Sequence, residues 1–286
     1  MEQCRLYVFA LHGLQPYFCL YYMSSITLLS DFGLQDASVA SAKGILMQYV
    51  PASAIVDITH EVAPFHTQQA AYLLEAAYKN FSKGSCHILL FDIFSEKVPR
   101  LLLCEKDGHY FLSPDNGLLS VAFGLAFDNV WNCFELKSPG TFSDWLHKTG
   151  EIAGRLQTNN ATELQLPFCE LAIAPLHCRP ITNEHSAECQ VIHIDRYENV
   201  VINFTRRQFD DIGQGRTFRI QYMRDEEITD ISTHYHDVKE GDRLCRFNKS
   251  GYLEICINRG KAASLLGLRL YREHNLMYNT IKIFFE

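Results

Sequence analysis

Apolar and polar positions follow two different periods along this chain. Ile26 to Leu29 is a short apolar run closing on Ser30-Asp31-Phe32-Gly33, and Val39 to Val50 then repeats apolar residues at helical spacing, which predicts a strand, a turn and a helix. Ala54 to Ile58 reads as a second buried strand. Ala70, Leu73, Leu74, Ala77, Tyr78 and Phe81 share one face of the next helix, and His87 to Phe91 is a third strand. Continuously apolar strands alternating with helices predict an α/β unit whose largely parallel sheet is covered on both faces. Ligands of such sheets lie beyond the carboxyl ends of the strands, and Asp31, Thr59-His60 and Asp92 all fall there.

After about residue 150 the pattern changes. Arg155 to Glu163 is polar, and Val191–Ile194, Val200–Phe204, Phe218–Met223, Tyr252–Ile257 and Ile281–Phe285 are β-rich runs separated by turn residues. The expected organisation is an α/β domain over 23–165 and a smaller all-β domain, a barrel or sandwich, over 166–286, with the boundary between 150 and 185. Because Met23 stands just before the first strand, residues 1–22 are read as an upstream extension that need not be native. Gly13 and Pro16 interrupt their apolar stretch, which is too short and broken to span a membrane.

Composition narrows the choice of partners. A chain of 286 residues with 47% apolar content can fill a sizeable core. Its formal charge of -7, with Lys and Arg scattered, argues against nucleic acid, which demands clustered cations. The ten cysteines are dispersed, with no C-x-x-C pair and no secretory signal, and are read as reduced thiols of a cytoplasmic protein.

Several short segments could carry chemistry. A carboxylate at a strand end, such as Asp31, can accept hydrogen bonds from both hydroxyls of a ribose, although taken alone such a residue more often makes a turn or caps the helix that follows. Pro114-Asp115-Asn116-Gly117 reads as a tight turn. Thr233-His234-Tyr235-His236-Asp237 would put two imidazoles on one side of a strand, a geometry able to bind a metal. No third ligand is evident, so no metal site is assigned. His60 and His66 are read as hydrogen-bonded structural residues.

Taken together, these segments form a recognisable series. Ile26-Thr27-Leu28-Leu29-Ser30-Asp31-Phe32-Gly33, Lys43-Gly44, Ile55-Val56-Asp57-Ile58-Thr59-His60-Glu61-Val62 and Pro114-Asp115-Asn116-Gly117-Leu118-Leu119 occur in that order. Val191 to Asn203, containing Asp195-Arg196-Tyr197-Glu198-Asn199, and Asn258-Arg259-Gly260-Lys261-Ala262-Ala263 follow. The series resembles the S-adenosylmethionine hydroxide adenosyltransferase family, which also includes fluorinating and chlorinating enzymes, over nearly all of residues 24 to 270. That resemblance implies a trimer with each ligand held between one subunit's first domain and a neighbour's second. It implies S-adenosylmethionine as substrate and no cofactor. Asp31 matches the ribose-binding aspartate, and Phe65 falls where an aromatic residue packs on the ligand. Asp195, Tyr197 and Asn199 match the segment that holds the methionine and adenine portions, with Glu198 in place of the usual glycine. Ser250 and Ile257 lie where that pocket is completed.

The resemblance also implies the reaction: water displaces methionine from the 5′ carbon of the ribose, releasing adenosine. Asp92 matches the catalytic aspartate of the hydrolases, whereas the halogenases carry an aromatic residue there. A carboxylate at that position would repel a halide. Arg100 is the candidate for the family's arginine, eight residues after Asp92 rather than seven. The family's Thr-Phe-His is here Thr141-Phe142-Ser143, which places Phe142 and Ser143 at the substrate and leaves the histidine's role open. His147, one helical turn further on, is a possible substitute. Weighed against hydrolysis is a protein that binds S-adenosylmethionine or adenosine without turning it over.

Overall fold

The computed structural model describes residues 25–173, 178–223, 226–270 and 280–286; the expected extension over 1–22 lies outside them. The first unit contains β1 (Ile26–Ser30), α1 (Ser38–Tyr49), β2 (Ile55–Thr59), α2 (Thr67–Tyr78), β3 (Cys86–Leu90), β4 (Arg100–Lys106), β5 (His109–Pro114), α3 (Leu118–Phe123), β6 (Asn129–Glu135) and α4 (Phe142–Leu156). Its six strands are ordered β2-β1-β3-β5-β4-β6. The first four run parallel, and β4 is antiparallel to both of its neighbours.

Alternate side chains of the buried strands supply two cores, as the two-residue strand period requires. Ile26, Leu28, Ile88 and Leu90 face α1 and α4, whereas Leu29, Leu89 and Phe91 face α2 and α3. On the first face α1 and α4 approach closely because Gly150 and Gly154, one turn apart, leave room for Tyr49. A Cβ at Gly150 would stand 2.5 Å from the Tyr49 ring. The start of α4 is fixed by a reciprocal cap, in which Thr141 N–H donates to Asp144 and Asp144 N–H donates to Thr141 Oγ1.

The chain stays with the first sheet beyond α4. Asn132 N–H donates to the Pro167 carbonyl, and Ala172 N–H donates to Asp115 Oδ1. The second unit then contributes β7 (Ile181–Thr182), β8 (Ser186–Cys189), β9 (Val191–Ile194), β10 (Val200–Thr205), α5 (Arg206–Gly213), β11 (Phe218–Met223), β12 (Glu226–Ile228), β13 (Arg243–Phe247), β14 (Tyr252–Ile257), α6 (Ala262–Leu265) and β15 (Ile281–Phe285). These strands form two antiparallel sheets, β13-β14-β10-β9 and β12-β11-β15-β8-β7, around one core that draws Ile202, Phe204 and Ile255 from the first and Ile220, Ile281 and Ile283 from the second. Among the described residues no ladder closes either sheet into a barrel.

The His234 segment departs from the sequence expectation. Tyr235–Asp237 is a single 3-10 turn, closed by Thr233 and His234 N–H groups donating to Asp237, because that carboxylate offers the backbone an alternative to a ladder. The two imidazoles stack in the open instead of lining a strand, and no cluster of three metal-ligating side chains occurs among the described residues.

Helix α2 joins the units through a polar seam. Its Gln68 donates to Gln190, Gln69 pairs with His193 at 3.1 Å, Tyr72 accepts from Asn248, and Glu75 accepts from the Tyr252 hydroxyl. Burial pushes the Glu75 carboxyl up to about 7, against the opposing hydrogen bond from Tyr252 and the charge of Lys79.

Candidate active site

Three neighbouring parallel strands end at one place. Asp31 follows β1, Asp92 lies two residues past the end of β3, and Asn116 lies two past β5. Asp92 is held in the left-handed region at φ 42 by groups from both neighbours. Its N–H donates to Asp31 Oδ2 at 3.3 Å, and its carbonyl accepts from Asn116 Nδ2 at 3.3 Å. The same amide donates to the Phe91 carbonyl at 2.8 Å, and Asn116 Oδ1 accepts the Leu118 N–H at the start of α3. Backbone in this region costs a non-glycine residue on the order of 1 kcal/mol, and three side-chain contacts hold it there.

Asp31 and Asp92 open into a cleft of about 360 Å³, lined also by Phe32, Ser38, Phe65, Ile93, Phe94 and Phe142. Phe142, the first residue of α4, packs edge-on against Phe32 at 5.3 Å. Phe65 is 80% exposed at φ 63 and stands at the rim. Burial raises the pKa of both carboxyls; for Asp31 the bonds from the Asp92 and Asp31 backbones oppose that rise, while the Asp92 charge adds to it. Two carboxylates with apolar neighbours can bind a dihydroxylated, cationic ligand and accept a proton beside it.

Arg100 belongs to an adjoining cavity of about 570 Å³, shared with Ser95, Glu96, Lys97, Pro114 and Asp115. Its Nη2 donates to Asp115 Oδ2, whose side chain is only 4% exposed. Ser143 sits exposed in the first turn of α4 and does not line the Asp31 cleft. His147 pairs with the Tyr49 hydroxyl at 3.0 Å between α4 and α1, and does not line it either.

The second-unit candidates lie apart from this cleft within one chain. Asp195 Oδ1 accepts the N–H groups of Tyr197 and Asn199 at 2.8 and 2.9 Å, and its Oδ2 accepts Asn199 Nδ2, which closes the turn between β9 and β10. Tyr197 projects from that turn, 75% exposed. Glu198 takes φ 63, a conformation open to glycine, and its carboxylate accepts the Ser264 N–H and pairs with Lys261. Ser250 borders a cavity with Glu75, Lys79 and Tyr252, and Ile257 a different one with Val238, Arg243 and Leu266.

The comparisons with known proteins bear on both halves. Residues 26–150 match the model for the SAM hydroxide adenosyltransferase N-terminal domain, and residues 189–274 match the model for the C-terminal domain. This chain belongs to that family. Within the adenosyltransferase family, the (R)-S-adenosyl-L-methionine hydrolase of Thermus thermophilus is 26% identical over 262 residues, covering 86% of this chain and 97% of that protein. The hydrolase of the same name from Methanocaldococcus jannaschii is 26% identical over 270 residues, 88% and 95% of the two chains. A fluorinase of an Actinoplanes species matches over only 60 residues, at 32% identity and 21% of this chain. Among solved structures, an uncharacterized conserved protein from Thermotoga maritima has a TM-score of 0.73 at 23% identity, covering 90% of this chain and 99% of that one. A conserved hypothetical protein from Thermus thermophilus has a TM-score of 0.67 at 23% identity, covering 92% and 100%. These structures share the adenosyltransferase fold.

Asn116 escaped assignment in the sequence because Pro-Asp-Asn-Gly is equally a turn signature, and Gly117 does take φ 85 there. The available signal was position: like Asp92, Asn116 follows a strand that ends at the cleft.

Proposed function

We propose that this protein hydrolyses S-adenosyl-L-methionine to adenosine and L-methionine. The observation that carries the reading is the pairing of Asp31 and Asp92 at adjacent strand ends, the N–H of one on the carboxylate of the other, in a cleft walled by aromatic rings. Asp31 accepts hydrogen bonds from the ribose hydroxyls, while Phe65 and Phe142 pack on the ligand. Asp92 orients water toward C5′. As the oxygen–C5′ bond forms, the C5′–sulfur bond breaks, and its electron pair leaves methionine as a neutral thioether. The proton lost by the water passes to Asp92, whose raised pKa makes it a better proton acceptor than an ordinary carboxylate. No cofactor enters this sequence of events.

Asp195, Tyr197, Asn199, Ser250 and Ile257 lie away from that cleft, which supports their serving a neighbour's site in a homotrimer. The exposure of Phe65 and Tyr197 fits such a joint. In this assembly the two open sheets of the second unit act as a sandwich, with the β9–β10 turn on its edge. A cytoplasmic location is in keeping with the free cysteines of the described residues, of which Cys86, Cys104, Cys189, Cys245 and Cys256 are buried. Among the described residues no helix is long and apolar enough to cross a membrane.

The engagement of Arg100 by Asp115 favours the second reading, a protein that binds the ligand without turnover. The purified protein incubated with S-adenosylmethionine, with adenosine and methionine followed by chromatography and binding by calorimetry, separates the two. Adenosine formed by the parent and lost in Asp92→Asn supports hydrolysis. Tight binding with no product would sink it.

A further inference from the structure

Behind Asp31 runs a chain of polar groups that the proposed mechanism does not use, buried at Ser30 and His60 and reaching the surface at Asp57 and Lys43. Ser30 Oγ lies 2.7 Å from His60 Nδ1, and the two residues are 0% and 4% exposed. His60 Nε2 is 3.1 Å from Asp57 Oδ1, a close electrostatic contact without hydrogen-bond alignment, and Asp57 Oδ2 accepts from Lys43 Nζ at 2.6 Å. Serine, histidine and aspartate in contact suggest a nucleophile, but Ser30 is sealed at the end of β1 between β2 and β3, where no substrate reaches it.

The chain instead encloses the Asp31 turn. His60 grips Ser30, the residue before Asp31, through its ring, and its carbonyl accepts the N–H of Gly33, two residues after Asp31, at 2.7 Å. Phe32 N–H also leans on Ser30 Oγ at 3.5 Å. Every residue from 30 to 33 other than Asp31 is thereby tied to His60 or to its serine, which leaves the Asp31 carboxylate projecting from a fixed turn. Gly33 takes φ 68, so the turn is one that few side chains would hold unaided.

We propose that His60 is a positioning residue for the ribose-binding carboxylate, clamping the turn that carries Asp31 through Ser30 on one side and Gly33 on the other. Lys43 and Asp57 fix the far edge of the ring. Burial is the largest single influence on Asp57 and opposes its ionisation. The contacts and charges of Lys43 and His60 together outweigh it, keeping the carboxyl below its ordinary range and charged against the imidazole. The proposal rests on Asp31 as the ribose anchor, and the test separates the two.

The test compares calorimetric affinity for adenosine and for 2′,3′-dideoxyadenosine, which lacks both ribose hydroxyls. The parent protein is expected to prefer adenosine by roughly tenfold or more, the worth of a charge-assisted hydrogen bond, and Asp31→Asn to lose that preference. His60→Ala and Ser30→Ala should each lose most of it, with dideoxyadenosine binding changed less than about twofold. His60→Asn, whose amide stands near the place of Nδ1, should regain it. Should His60→Ala fail to fold, the smaller Ser30→Ala change decides the matter. A lowered melting temperature with the adenosine preference intact in the alanine variants would mean that the histidine only stabilises the sheet, and would overturn the proposal. A parent protein and an Asp31→Asn variant that both bind the two nucleosides alike would overturn the ribose assignment of Asp31, and the role of His60 with it.

Discussion

Two aspartates, one lying two residues past β3 and the other one residue past β5, have opposite fates. Asp115 is buried against the Arg100 guanidinium and the Ala172 N–H, so both of its oxygens are occupied within the fold. Asp92 is less enclosed and pairs with no cation among the described residues, and the fold secures it through its backbone while leaving its carboxylate to the cleft. The difference shows how one sheet edge separates structural from reactive charge. Asp115 is spent on fixing the fold, whereas burial without a counter-ion keeps Asp92 basic.

The contrast is broken most sharply by removing one charge at a time. Asp92→Asn should lower the rate of adenosine formation by about 100- to 1,000-fold, near 3–4 kcal/mol of barrier, measured by chromatography. Its melting temperature should hold or rise. A carboxyl whose pKa is raised by folding loses stability as pH climbs from its unfolded value through its folded one, and the amide is free of that loss. In the parent, the rate should climb with pH through an inflection above the ordinary carboxylate range and then level off, as a base that must be ionised requires. Asp115→Asn should show the converse: roughly 2 kcal/mol of stability lost in urea unfolding, with turnover reduced less than tenfold, since Arg100 is half-exposed and only one partner is fully buried.

A smaller effect belongs to Glu75. Its pKa of about 7 means that stability is fully present below the unfolded carboxyl value near 4 and declines as pH rises through 7. Glu75→Gln should therefore raise the melting temperature by a few degrees at pH 8, on the order of 1–2 kcal/mol, and by little at pH 4.5. The smallest change expected is at His234. His234→Ala should leave stability within about 0.5 kcal/mol, and added zinc should not shift melting in the parent or the variant.

The elements legible in the sequence were those with an unambiguous hydrophobic period. Val191–Ile194, Phe218–Met223, Tyr252–Ile257 and Ile281–Phe285 occupy the spans their patterns mark. The hairpin of β4 and β5 was not read from Leu101-Leu102-Leu103 because an apolar run of that length fits helix and strand alike. The Asp107-Gly108 pair between them, with φ 54 and 81, was the decisive turn signal. At the cleft, Asp31, Phe65, Asp92 and Phe142 converge as residues picked out by motif. The partners of Arg100, Asn116 and His147 could not be read in the same way. Each is set by a contact distant in sequence or by the shape of the loop over residues 93–99, and no local spacing encodes such choices.

The seam along α2 has a mechanical consequence. Amides, hydroxyls, an imidazole and one carboxylate hold the two units together, with the Tyr72 ring packed against His193 and Tyr252, rather than interlocked leucines, and the polar groups among them find partners in water when the seam opens. The apolar cores on either side are complete without it. The joint is therefore expected to yield before either core does, because its contacts exchange for water while the apolar packing on each side is left intact. The intersubunit pocket proposed above would use such a joint: the rim of one subunit and the turn of another would settle around a ligand while each core stays packed.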